Sequence, residues 1–201
     1  MANFSSSDCS PHVIDTSVAI SLDASGIADA VLGCLCRPAL IVDIARDELD
    51  GGRGLGVTAR ASINRWERGG LLSIVKLSET ANDTFESLVS GSSVATIDDG
   101  EAATIAHAID VGGIAVVDEA KARKTSLRRF PDLSLSSATN LLLMPSLAAV
   151  IGPAAVADAV FKALTISRMR VPRELHFKVV SLIGEERAAL CHSLPAVIRK
   201  R

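Results

Sequence analysis

Ile114-Ala115-Val116-Val117-Asp118 is apolar, largely β-branched and too short for a helix, and it stops abruptly in a carboxylate. Beyond it the chain turns charged and helix-forming over residues 120–128. A short, continuous apolar run of this kind suits a strand buried on both faces, as in a parallel sheet covered by helices. The same pattern stands near the start, where Val13-Ile14 runs into Asp15 and Thr16-Ser17 opens another helical stretch. Two such strands, each ending in Asp and each feeding a helix, predict an α/β fold with a central, mostly parallel sheet.

Working outward, residues 39–42, 71–77 and 133–135 read as further strands. Residues 17–34, 43–50, 58–68, 80–89, 101–110 and 120–128 read as helices. From Ser137 onward the pattern is mainly helical, interrupted at Gly152-Pro153 and near Val171-Pro172. The expected organisation is a flexible leader over 1–11, a main domain over 12–150 and a helical, basic extension over 151–201. That extension would pack on the domain or on a partner.

The 201 residues are 48% hydrophobic and 22% charged, which fits a globular chain and excludes general disorder. No apolar run approaches the roughly 20 residues of a membrane span. The Ser-rich start lacks the basic and apolar regions of a secretory signal. The four cysteines show no framework spacing, so a cytoplasmic protein with reduced thiols is expected. Aromatic residues make up only 3%, with no Tyr, so a nucleic-acid binder of this composition would rely on backbone and metal contacts rather than base stacking. Charge is uneven: residues 162–201 hold nine Lys and Arg against three acids, while residues 1–161 hold twelve against twenty.

Ligands of open α/β sheets bind beyond the carboxyl ends of the strands, where Asp15 and Asp118 are expected. Thr16 and Ser17 also suit a helix cap. Two more acidic stretches stand out, Asp47-Glu48-Leu49 and Asp98-Asp99-Gly100-Glu101. In the second, the helix macrodipole alone would account for Asp98 or Asp99.

Val13-Ile14-Asp15-Thr16-Ser17, Asp47-Glu48-Leu49, Gly100-Glu101-Ala102-Ala103-Thr104-Ile105-Ala106 and Val116-Val117-Asp118-Glu119-Ala120-Lys121-Ala122-Arg123 together resemble, in order and spacing, the four acidic motifs of PIN domains. The Gly-Glu-Ala-Ala form is most similar to the VapC-like branch, whose members include toxins of toxin–antitoxin pairs. The resemblance covers about residues 12–150 and implies a Rossmann-like, three-layer α/β/α fold and Mg²⁺- or Mn²⁺-dependent cleavage of RNA. It places Asp15, Glu48, Glu101 and Asp118 as catalytic acids and Asp15, Glu101, Asp118 and Glu119 as metal ligands, with either Asp118 or Glu119 matching the last acid. Thr16 and Ser17 would support the ligand or phosphate, and Arg123, about one turn beyond the last acids, either contacts RNA or, as the default, lies on a solvated helix face. It further implies a homodimer and a small antitoxin partner. A non-catalytic PIN-fold module, binding RNA or protein, is the alternative.

The chemistry is consistent with that expectation. Two unit charges ~4 Å apart repel by roughly 4 kcal/mol at an effective dielectric of 20, so clustered carboxylates must protonate or take up a cation. Oxygen-only donors suit a hard ion such as Mg²⁺ or Mn²⁺ rather than zinc.

Other signals are weaker. Gly51 to Thr58 imitates a phosphate-binding loop, but Val57 stands where its Lys belongs; a flexible loop is expected, with Arg53 a candidate RNA contact. Cys34 and Cys36 have no second ligand pair at zinc spacing. His107 reads as structural. The basic stretch 168–173 and the final Arg199-Lys200-Arg201 are basic enough to meet phosphates, with solvated charge as the default reading.

Overall fold

The computed structural model describes residues 9–49, 54–90 and 96–199. The leader through residue 8, Arg53 and Lys200-Arg201 therefore lie outside the described residues, as do Gly51 and Gly52 of the glycine-rich stretch.

Five short strands form one sheet: β1 (His12–Ile14), β2 (Ala39–Val42), β3 (Leu72–Val75), β4 (Ile114–Val116) and β5 (Ser134–Ser136). Their order is β3-β2-β1-β4-β5 and every pairing is parallel. Parallel neighbours need crossovers, and helices supply them: α1 (Thr16–Ser25), α2 (Ala28–Gly33), α3 (Asp43–Asp47), α4 (Leu55–Arg68), α5 (Glu79–Val89), α6 (Asp99–Asp110) and α7 (Ala120–Arg129). The helix expected over 17–34 is in fact two. Gly26 ends α1 in the left-handed region, φ 75°, where its N–H returns to the Asp23 carbonyl.

Alternation along each strand sends neighbours to opposite faces. Val13, Val42 and Ala115 pack with Leu88, Ala102, Ala103 and Ile105 on the α5–α6 side. Ile14, Ile41 and Val116 pack with Val18, Leu22, Ile63 and Trp66 on the other. The result is three layers, helix on sheet on helix. Trp66 is wholly buried, and its indole N–H is satisfied by Asp29 at 2.8 Å.

After β5 come α8 (Ala138–Leu142), α9 (Pro145–Ile151), α10 (Pro153–Lys162), α11 (His176–Ile183), α12 (Glu185–Ala189) and α13 (Ala196–Arg199). Pro153 at the first position of α10 follows Gly152, and α9 meets α10 and its continuation at 110°. No single helix among the described residues is long and apolar enough to cross a membrane. Val156, Val160, Leu164, Met169 and Val179 join the same buried cluster as Ile14 and Leu22. The segment beyond residue 150 thus completes the layer on the α1 side.

That shared core has a measurable consequence. Leu164 is 1% exposed, and its replacement by Ala is expected to lower the unfolding free energy in urea by about 2–5 kcal/mol, in one transition. Two separate transitions, the first alone shifted by the substitution, would instead make the C-terminal segment an independent unit.

Candidate active site

Parallel register aligns Ile14 with Val116, and the Asp15 N–H donates to the Val116 carbonyl at 3.1 Å. Between β1 and β4 the strand order reverses, which opens a crevice at the carboxyl ends of these strands. Asp15 follows β1 directly and Asp118 lies two residues past β4. Both are buried, 3% and 6% exposed.

Asp15 is the N-cap of α1, as its sequence position allows. Its Oδ2 accepts from the Ser17 N–H at 3.2 Å and the Ser17 hydroxyl at 2.7 Å. Thr16 reaches across to the next crossover, its Oγ1 lying 2.5 Å from the Ala45 carbonyl and 2.9 Å from Glu48 Oε2. Glu48 closes α3, and its Oε1 accepts the Gly100 N–H at 2.8 Å. It therefore satisfies an open amide at the N-terminus of α6, where the macrodipole welcomes an anion. A Cβ at Gly100 would stand 2.6 Å from Glu48 Oε1, so any other residue there would push the Glu48 carboxylate off this amide. Asp98, in the cap position of α6, makes no side-chain cap bond. The open amide is taken by an acid fifty residues earlier in the chain, and Asp98 lines the crevice.

Asp118 Oδ1 accepts the Ala138 N–H at 2.8 Å, whereas Oδ2 is buried without a partner among the described residues. An unpaired buried carboxylate oxygen is costly, and such atoms mark where an ion or ligand belongs. Glu119 opens α7 and pairs with Arg170. With 62% of the Arg170 side chain exposed, that pair contributes at most about 1 kcal/mol and exchanges readily. Arg123 is a brace: its Nη1 donates to the Val117 and Ser136 carbonyls at 3.1 and 2.5 Å and so fastens the ends of β4 and β5.

Asp15, Thr16, Ser17, Glu48, Glu101, Asp118 and Glu119 all line one cavity of about 480 Å³, and Arg123 does not. The opposite wall, Ser167 to Arg170, was not foreseen as part of a site. Two arginines flanking one Met were its only trace in the sequence. A π turn over Ala163–Ser167 ends at Arg168, whose φ of 55° is the one positive value outside glycine among the described residues, and Met169 is buried. This anchoring carries Arg170 to the acidic rim.

Electrostatics follow from this packing. Burial raises the Asp15 pKa, against the Ser17 bonds that lower it. Burial, then the charges of Asp15 and Asp98, pushes Glu101 up to about 7. Burial likewise pushes Asp118 up to about 7 despite the Ala138 amide. These carboxyls are short of positive charge. Among the described residues no three His, Cys, Asp or Glu side chains form a ready-made cage. Mg²⁺ needs none, since it keeps several waters and takes one or two carboxylates. The all-oxygen donor set and the orphaned Asp118 Oδ2 fit such an ion.

No family model, curated protein or solved structure matches the chain. The geometry of the cavity has to speak for itself.

A carboxyl with a raised pKa binds more protons when folded, so stability falls as pH rises from its unfolded value to its folded one. For Asp118 and Glu101 that window runs from 3.8 and 4.5 up to about 7. The Tm is expected to decline across it and level off above, with the decline shallower in Asp118→Asn. Mg²⁺ or Mn²⁺ should raise the Tm above the window more than below it. A pH-independent Tm that ignores both ions would contradict the assigned electrostatics.

Proposed function

We propose that the chain is a metal-dependent endoribonuclease of the PIN type that hydrolyses RNA phosphodiester bonds. The observation that carries the reading is the meeting of Asp15, Glu101 and Asp118 in one cavity, with a buried Asp118 oxygen that has no partner among the described residues. The strand order and the ordered acidic motifs support it.

In this reading Asp15, Glu101 and Asp118, with Glu119 at the rim, hold Mg²⁺ or Mn²⁺. The ion, when bound, lowers the pKa of a water and neutralises charge developing on the phosphate. Ser17 fixes the Asp15 carboxylate, while Thr16 and the Gly100 amide fix Glu48. Their support of the substrate is therefore indirect, through the acids they orient. A cation bound there would offset the burial and carboxylate repulsion that push Glu101 up to about 7, and would hold it ionised as a ligand. RNA is the substrate; a homodimer and a small antitoxin would be the partners if the enzyme serves as a toxin.

One observation favours the non-catalytic alternative: Arg170 already offers a cation to Glu119. Incubation of purified protein with single-stranded RNA separates the two. Cleavage is expected with Mg²⁺ or Mn²⁺, none in EDTA, and a rate lower by about 100-fold or more in Asp15→Asn, since misplacing a reacting group costs on that order. RNA that is bound but left intact in every metal would transfer the chain to the binding modules.

A further inference from the structure

A second cleft, of about 640 Å³, adjoins the acidic cavity and shares Asp118 and Arg170 with it. Its charge is reversed. Arg123, Lys124, Arg170 and Arg173 line it against Asp118 and Glu174. Glu174 lies 3.8 Å from Arg123, whose other nitrogen is committed to backbone carbonyls. Lys124, Arg170 and Arg173 are exposed. Three features hold their wall in place: buried Met169, Pro172, and a His176 ring nitrogen 3.0 Å from the Val171 carbonyl. None of the described lining residues is Phe or Trp.

We propose that this cleft seats the sugar–phosphate backbone of a single-stranded RNA beside the phosphate held at the carboxylates. Arg170 is the clamp shared by both clefts, and Lys124 and Arg173 meet neighbouring phosphates. The inference rests on the nuclease reading above. A polyanion can approach an acidic cavity only where cations lie along its path, and this cleft supplies them at the cavity's edge. Arg170 exchanges Glu119 for a phosphate when the strand arrives. With no Phe or Trp among the described lining residues and the His176 ring held on the Val171 carbonyl, the contact reads backbone rather than base, so binding is sequence-tolerant and salt-dependent. Arg170 and Arg173 lie outside the stretch that resembles PIN domains, so the segment after residue 150 brings this site's own contribution.

The test is fluorescence anisotropy of a labelled oligouridylate with the full chain in EDTA, where cleavage cannot interfere. Wild type is compared over a salt series with Arg170→Ala and with the double variant Lys124→Ala, Arg173→Ala, whose exposed side chains can be lost without unfolding. Thermal melts check the fold. Each variant is expected to bind about 3- to 10-fold more weakly, and the slope of log K against log salt to shrink by about 0.7 per lost phosphate contact. Wild-type affinity and slope in both variants, or no binding by wild type, overturns the proposal. Polyglutamate competing as well as the oligonucleotide also overturns it, in favour of an acidic protein partner. Weakened binding by the variants, with no cleavage by wild type in any metal, leaves the cleft standing and removes the nuclease. Cleavage by wild type with binding unchanged in the variants does the reverse.

Discussion

The parallel pairing of β1 with β4 is the constraint on which the molecule turns. Three residues on each strand, closed by the Asp15 N–H on the Val116 carbonyl, put two buried aspartates at the same end of the sheet. Every other part of the site is built against that edge. Thr16 and Glu48 tie the start of α1 to the first helix of the second crossover, Gly100 brings in α6, and Ala138 closes from α8. Because the sheet order reverses between these strands, the crevice is a product of topology before it is a product of side chains.

Concentrating carboxyls in that crevice works against stability. Asp118 and Glu101 are raised to about 7 chiefly by loss of water, and one Asp118 oxygen has no partner. Folding tolerates this because the two cores beside the sheet are well filled. Local conflicts of this kind concentrate where a protein does chemistry, and a divalent cation would resolve this one. Arg170 is exposed and pairs at the rim, and Arg123 is committed to backbone carbonyls, so these guanidiniums only soften the conflict.

Much of this was legible in the sequence, and the reasons differ by residue. Strand β2, an unbroken Ala39-Leu40-Ile41-Val42 run, stands where its pattern put it, and β4 and β5 lie within a residue or two of theirs. Asp15 and Asp118 followed from strand ends. Glu48 and Glu101 came through resemblance, since no local pattern links an acid at the close of one helix to the start of another fifty residues on. The macrodipole alone accounted for Asp98, a local reason; the amide at that helix start is instead taken by Glu48 from a distance. Gly26 splits the first helix through one backbone angle, which an apolar period does not register. Arg170 stood out only as part of a basic stretch, because composition cannot distinguish a solvated arginine from one that a buried neighbour anchors beside distant acids.

The central claim is that the acidic crevice is a divalent-cation site. Anomalous diffraction from crystals grown with Mn²⁺ tests it most directly. The account predicts a peak in contact with the Asp15 and Asp118 carboxylates, lost in Asp118→Asn. Crystals of the folded protein at saturating Mn²⁺ with no peak in the crevice, and with Arg170 still paired to Glu119, would contradict it.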